Sequence, residues 1–207
     1  MKANVYIDGF NLYYGRLKGT AYKWLDPQKL CELALPRHTI NRIRYFTARV
    51  SARDGDLDAP RRQETYLKAL QTIPKLSIHY GHFLVSKTFM PRYPSPQFGQ
   101  RTVQVTKTEE KGSDVNLATY LLIDAFTNAC ELSVVISNDS DLREPIRIMR
   151  DDMHRQVGVL NPHDNISWAL KQVAGFYRPL REGVVAAAQF PNPLTHQGGS
   201  IVKPAIW

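Results

Sequence analysis

Apolar residues in this chain recur with two spacings, and the switching between them predicts its elements. Short β-branched and aromatic runs read as strands, and stretches where apolar side chains return every three or four positions read as helices with one buried face. Ala3–Ile7 is the first strand-like run. It stops at Asp8-Gly9, where glycine permits a sharp turn, and a helix is expected over Leu12–Leu17 with Asn11 as its cap. Asp26-Pro27 opens a helix to Leu35, with Asp at the cap and Pro at the first helical position. Ile40–Ala48 reads as a second strand with Arg49 at its C-terminal end. Ser51–Pro60 lacks periodicity and reads as a loop. Arg61–Ile73 reads as a helix with Tyr66, Leu67, Leu70 and Ile73 as its buried stripe. Leu76–Phe83 alternates with period two, so it predicts a third strand. His79 and His82 fall on its opposite faces, as surface or packing residues and not as a metal pair.

The pattern breaks from about 85 to 107, where prolines punctuate a mixture of aromatic and basic residues (Met90 to Phe98) before Thr102–Thr106 resumes alternation. This predicts an excursion from the core, hairpin-like in form. Its aromatics either stack on unpaired bases while Arg and Lys track phosphates, or simply anchor a long loop to the body. A helix capped by Ser113 and ending near Ala129 follows. Its face is Val115, Ala118, Leu122 and Ala125, widened by Leu117 and Leu121; Asp114 lies in the first turn, and Asp124 lies deep enough to be structural. Val134–Ser137 is a buried strand. After it come a helix to about Asp152, a strand at Gln156–Leu160, a short helix at Ile166–Val173 and a last strand at Phe176–Arg178. The alternation predicts an α/β domain over residues 1–180, a three-layer α/β/α sandwich on a mainly parallel sheet. Residues 181–207 form a tail expected to pack on the domain or on a partner subunit, so a homodimer is one expectation.

The chemistry gathers where Val134-Val135-Ile136-Ser137 gives way to Asn138-Asp139-Ser140-Asp141-Leu142. An unalternating Val/Ile run suits a parallel strand covered on both faces, and ligands bind beyond the carboxyl ends of such strands. Two ionised carboxylates about 4 Å apart repel by roughly 4 kcal/mol at an effective dielectric of about 20, so a cation or a shared proton is expected between them. Capping is the competing account: Asp141 as N-cap, with Glu144 completing a capping box. That leaves Asp139 unexplained. Asp8 repeats the theme at the first strand end, where a plain Asp-Gly turn is the alternative.

Composition changes the picture in one respect. The 207 residues, 43% hydrophobic and 22% charged, describe an ordinary globular domain, but a formal net charge of +8 attracts polyanions and puts nucleic acid first among partners. Cys31 and Cys130 lie far apart without a CxxC or a matching histidine, so they are expected to be reduced thiols and not zinc ligands. No apolar run approaches membrane-spanning length and Met1-Lys2 leads directly into a strand, so a cytoplasmic protein without membrane contact is expected.

Together, Tyr6-Ile7-Asp8-Gly9-Phe10-Asn11-Leu12, Lys111-Gly112-Ser113-Asp114-Val115 and Ser137-Asn138-Asp139-Ser140-Asp141 resemble the NYN-domain family, a branch of the PIN-like metal-dependent nucleases. The resemblance implies a PIN-like sandwich whose clustered aspartates bind Mg²⁺ or Mn²⁺ and hydrolyse RNA, single-stranded or structured. Carried over by motif, Asp8 and Asp139 are direct ligands, and Asp114 and Asp141 are ligands or water-positioning bases. Asn11 orients, Lys111 meets a phosphate, and Arg49 is expected beside the acidic edge. Many relatives carry Gly where this chain has Asn138, and an acid where it has Tyr120. Two rivals remain. A haloacid-dehalogenase-type phosphatase wants a second acid where Phe10 stands, and a non-catalytic nucleic-acid-binding or scaffold protein could use the same fold.

Overall fold

The structure is a computed structural model and describes residues 1–52 and 55–207. Six parallel strands form the central sheet: β1 (Lys2–Asp8), β2 (Thr39–Thr47), β3 (Leu76–Tyr80), β6 (Leu132–Ile136), β7 (Gln156–Asn161) and β8 (Phe176–Pro179). Their order is β3-β2-β1-β6-β7-β8. The chain winds outward from β1 to β3, returns to the centre and winds out the other way to β8. The order therefore reverses between β1 and β6, and in such sheets that crevice takes ligands.

Both faces of the sheet are covered, which is why its central strands read as apolar without alternation. Ala3, Val5 and Ile7 point to one face, with Val134 and Ile136, under α2 (Pro27–Ala34), α3 (Ala59–Gln71) and Trp24. Tyr6, Phe46 and Val135 point to the other, under α4 (Ser113–Phe126), α5 (Arg143–Arg147) and α6 (Trp168–Val173). The expected three-layer PIN-like sandwich is the architecture observed. Among the described residues no helix is long and apolar enough to cross a membrane.

Several local expectations are corrected. The first helix starts at Gly9, not Leu12: α1 (Gly9–Leu12) runs into a wider π turn over Tyr13–Leu17. Its N-cap is Asp8, so Asn11 is free for another role. Gly9 is required there because a Cβ would meet the Phe46 carbonyl oxygen at 2.7 Å. The third strand ends at Tyr80, two residues short of His82. The long hairpin β4 (His82–Pro91) and β5 (Thr102–Lys111) replaces its expected end and is wider than the predicted excursion. Gly112, at φ +95°, turns the chain from β5 into α4. Positions 53 and 54 of the expected loop lie outside the described residues, and α3 begins at Ala59, inside that loop. The helix expected to reach Asp152 is α5 followed by a π turn over Ile148–Asp152.

The tail lies on the first face. α7 (Glu182–Ala187) precedes Ala188, Phe190 and Leu194, which are buried in the core, and then the short hairpin β9 (Leu194–His196) and β10 (Gly199–Ile201). Phe190 and Trp207 both pack on Trp24, at 5.6 and 6.5 Å between ring centroids. Cys31 is buried, Cys130 is half-buried, and both are free thiols.

Candidate functional site

Asp8 ends β1 beside the β6 terminus, only 5% exposed. One carboxylate oxygen accepts the Asn11 N–H at 2.9 Å, which caps α1, and the other accepts the Ser137 hydroxyl at 3.0 Å. Ser137 Oγ in turn accepts the Asp139 N–H at 3.1 Å, and Asn11 Oδ1 accepts the Asn138 N–H at 2.8 Å. These bonds tie the first strand end to the turn after β6. Asn138 extends the tie outward, because its Oδ1 accepts the Tyr177 hydroxyl at 2.6 Å and the Ser167 N–H at 3.1 Å. The Asn138 side chain is therefore a bolt between this turn and the one before α6.

The capping account is half right. The cap of the 3₁₀ turn Ser140–Leu142 is Asp139, which accepts the Asp141 N–H at 3.0 Å, and Glu144 bonds to Arg147 instead of closing a box. Asp139 is thus both cap and site acid, with one oxygen left over. Asp114 enters from the first turn of α4. The side chain that accepts bonds there is Glu110, from the Ser113 N–H at 3.2 Å and the Ser113 hydroxyl at 2.6 Å, so Ser113 is not the cap.

Asp8, Asp114, Asp139 and Glu110 line one cavity of about 530 Å³. Burial raises the pKa of Asp8 to about 7, against the bonds from Asn11 and Ser137 and with help from the charges of Asp114 and Asp139. Burial, then Asp139, Glu110 and Asp141, raise Asp114 to about 6. Asp141 is exposed and lies outside the cavity lining, although its charge reaches Asp114. Among the described residues no cation forms an ion pair with Asp8, Asp114, Asp139 or Asp141. Asp124, by contrast, is paired with Arg44 at 2.8 Å and takes the Tyr6 hydroxyl, as befits a structural acid.

The other expected contacts are engaged elsewhere. Arg49 pairs with Glu64 and lies over the Tyr80 ring, and Lys111 lies 3.6 Å from Glu109; neither lines the cavity. Tyr120, in place of an acid, covers His79 at 4.2 Å and Arg44 at 4.5 Å. His79 also stacks on Phe46 at 5.0 Å, while His82 is exposed at the hairpin base.

The sequence reading missed half of the cavity. Glu110 and Asp56 add acids, Lys23 adds positive charge, Arg62 is paired with Asp56, and Phe10, Tyr45, Tyr66 and Phe83 add aromatic walls. His163, just past the end of β7, lines it with Nε2 buried and unpartnered. The strand-end position of His163 was the one available signal.

The carboxylates of Asp8, Asp114, Asp139 and Glu110, none of them ion-paired with a cation among the described residues, offer oxygen donors of the kind a hard divalent ion takes. Among the described residues no three acidic, His or Cys side chains stand close enough to enclose an ion on their own.

A parallel sheet in this order, with acids at its reversal point, defines a PIN-like α/β domain. The NYN domain family model matches residues 2–180, and the chain belongs to that family. The chain is also 31% identical, over 237 aligned residues, to 6-hydroxy-3-succinoylpyridine 3-monooxygenase HspA of Pseudomonas putida (strain DSM 28022 / S16), an alignment that covers all of this chain and 75% of that protein. Among solved structures it is similar to a protein of unknown function from Vibrio parahaemolyticus RIMD 2210633. The TM-score is 0.56 at 14% identity, over 87% of this chain and 93% of that one, which is a likeness of fold.

Proposed function

We propose that the chain hydrolyses RNA phosphodiester bonds with Mg²⁺ or Mn²⁺ held by Asp8, Asp114 and Asp139, with Asp141 at the rim. The observation that carries this reading is the gathering of acids from three elements at the sheet's reversal point, none neutralised by a cation among the described residues, in a chain of net charge +8. A divalent ion in such a site supplies Lewis acidity, acidifying water and stabilising charge on the phosphoryl oxygens. The protein's own part is positioning. Ser137 and the Asn11 N–H fix both oxygens of Asp8, and Asn11 Oδ1 holds the turn that carries Asp139. Lys23, which lines the same cavity, suits a phosphate, whereas Arg62 is paired with Asp56. Purified protein is expected to cleave RNA oligonucleotides with Mg²⁺ or Mn²⁺, and Asp139→Asn to lose this by about a hundredfold or more while staying folded. Cleavage by that variant, or by wild type in excess EDTA, overturns the reading.

A second reading rests on the aromatic half of the same cavity. About 530 Å³ walled by Phe10, Tyr45, Tyr66 and Phe83 suits a small heteroaromatic acid, with Lys23 for its carboxylate. The Pseudomonas relative's name specifies a hydroxypyridine substrate. Titration with 6-hydroxypyridine-3-carboxylate, followed by tryptophan fluorescence because Trp207 lines the cavity, separates the two. Saturable binding without any RNA cleavage favours the second.

A further inference from the structure

The β4–β5 hairpin has no evident part in the fold. Not one residue of either strand is buried, although ten pairs run from His82–Lys111 to Pro91–Thr102. An isolated two-stranded ribbon is marginally stable in water, so a ribbon this long calls for a reason outside the core. Beyond Phe83 at its base, its aromatics do not anchor it to the body: Tyr93 is 100% exposed, Phe98 89% and Phe89 61%. Residues 82–108 contain no Asp or Glu but hold Lys87, Arg92, Arg101 and Lys107. Lys107 is tied to Glu109, while Lys87, Arg92 and Arg101 have no ion-pair partner among the described residues.

The register connects this surface to the site. Side chains alternate across a ribbon, so Phe83, Val85, Lys87 and Phe89 share one face, opposite Glu110, Thr108, Thr106 and Gln104. Phe83 and Glu110, at the base of that face, line the acid cavity, and Phe83 meets Phe10 edge-on at 5.7 Å. A strand lying along this face is thereby led from the exposed rings at the tip to the acids at the base. Each two residues advance it by about 6.8 Å.

We infer that the hairpin is an arm for single-stranded RNA, stacking unpaired bases on Phe89, Tyr93 and Phe98 and holding phosphates with Lys87 on that face and with Arg92 and Arg101 at the tip, beyond the paired strands. The inference rests on the RNA reading of the site, and narrows its substrate to unpaired strands. Stacking needs a free base face, which a duplex hides. A second copy of this chain fits the face less well, since two such acid-free ribbons repel.

The test is fluorescence anisotropy with wild type in EDTA, using a labelled oligouridylate alone and annealed to oligoadenylate. Single-strand affinity is expected to exceed duplex affinity. The ring variant F89S/Y93S/F98S, with unchanged circular dichroism, is expected to bind the single strand roughly tenfold or more weakly. In K87Q/R92Q/R101Q the salt dependence, as a log–log slope, is expected to flatten by about 0.7 per lost phosphate contact. Equal binding by the ring variant, a preference for duplex, or no binding by wild type overturns the arm. So does a ring variant that light scattering shows has lost a dimer while its RNA affinity is unchanged. Cleavage with Mg²⁺ judges the site separately: binding without cleavage sinks hydrolysis alone, and cleavage unaffected in the ring variant sinks the arm alone.

Discussion

Asp8 is asked to hold a negative charge where water cannot reach it and where Asp114 and Asp139 repel it. Burial first, then those charges, raise it to about 7 in spite of its bonds from Asn11 and Ser137. The folded pKa thus lies above the unfolded one, so between pH 4 and 7, roughly, the folded chain keeps a proton that the unfolded chain has released. In EDTA, stability is therefore expected to be greatest below this window and to fall as pH rises through it. Asp114, raised to about 6, acts with the same sign. Asp8→Asn keeps an oxygen for the cap and loses the charge. Urea unfolding at pH 8 is expected to show it more stable than wild type by about 1–3 kcal/mol, with a shallower fall from pH 5 to 8. A variant less stable than wild type at pH 8 argues that Asp8 is a structural acid. At this scale the sequence shows the acids that end a strand or open a helix, because chain order alone places them: Asp8, Asp139 and Asp114. It does not show Glu110 or His163, which reach the cavity only because a hairpin and the turn after β7 come to it. Nor does it show which of Asp139 and Asp141 caps the turn, since the two sit one residue apart in similar company.

α4 is held on the sheet by an acid of the opposite kind. Burial raises Asp124, but the hydrogen bonds from Arg44 and Tyr6, and the charges of Arg44 and Arg42, bring it below the usual carboxylate range. Its contribution to stability is present above the unfolded pKa and lost as pH falls, the reverse of Asp8. Arg44→Met strands Asp124 under α4 with Tyr6 and Asn4, and is expected to cost about 3–5 kcal/mol in urea unfolding. Arg44→Met with Asp124→Leu is expected to recover much of that loss, because no charge is left unpaired. A double variant no better than Arg44→Met rules out the pair as the tether. Elements whose two sides are both buried were legible from their apolar runs, and so was α2, whose Asp26 cap accepts the N–H groups of Gln28 and Lys29. The third strand was read too long because its period-two pattern runs on into β4. The break falls at Gly81, where only glycine fits because a Cβ would stand 2.5 Å from Lys111 O, a constraint that only the fold reveals.

At the scale of the molecule, the family match ends at residue 180, yet the fold continues past it. Trp24 is 1% exposed because Phe190 and Trp207 cover it. Its indole N–H donates to the Pro191 carbonyl at 3.1 Å, and its carbonyl accepts the Phe190 N–H at 2.9 Å. The composition past Gly183 gives little sign of this, since Ala, Pro, Gly and Asn spell a linker as readily as a core strap. Only the isolated apolar residues Phe190, Leu194 and Trp207 mark the contact. Trp207 also stands 5.9 Å from Tyr66, and both line the acid cavity, so the tail supplies part of the cavity's aromatic wall. Phe190→Ala removes a buried ring and is expected to cost about 3–5 kcal/mol, read as a lower urea midpoint. Deletion of 189–207 is expected to lower the midpoint further and to shift tryptophan emission to the red as Trp24 meets water. It also opens the aromatic wall while leaving Asp8, Asp114 and Asp139 on their own elements. A truncated protein with the wild-type midpoint and emission shows that the domain is complete without its tail, and that the cavity's second wall is dispensable.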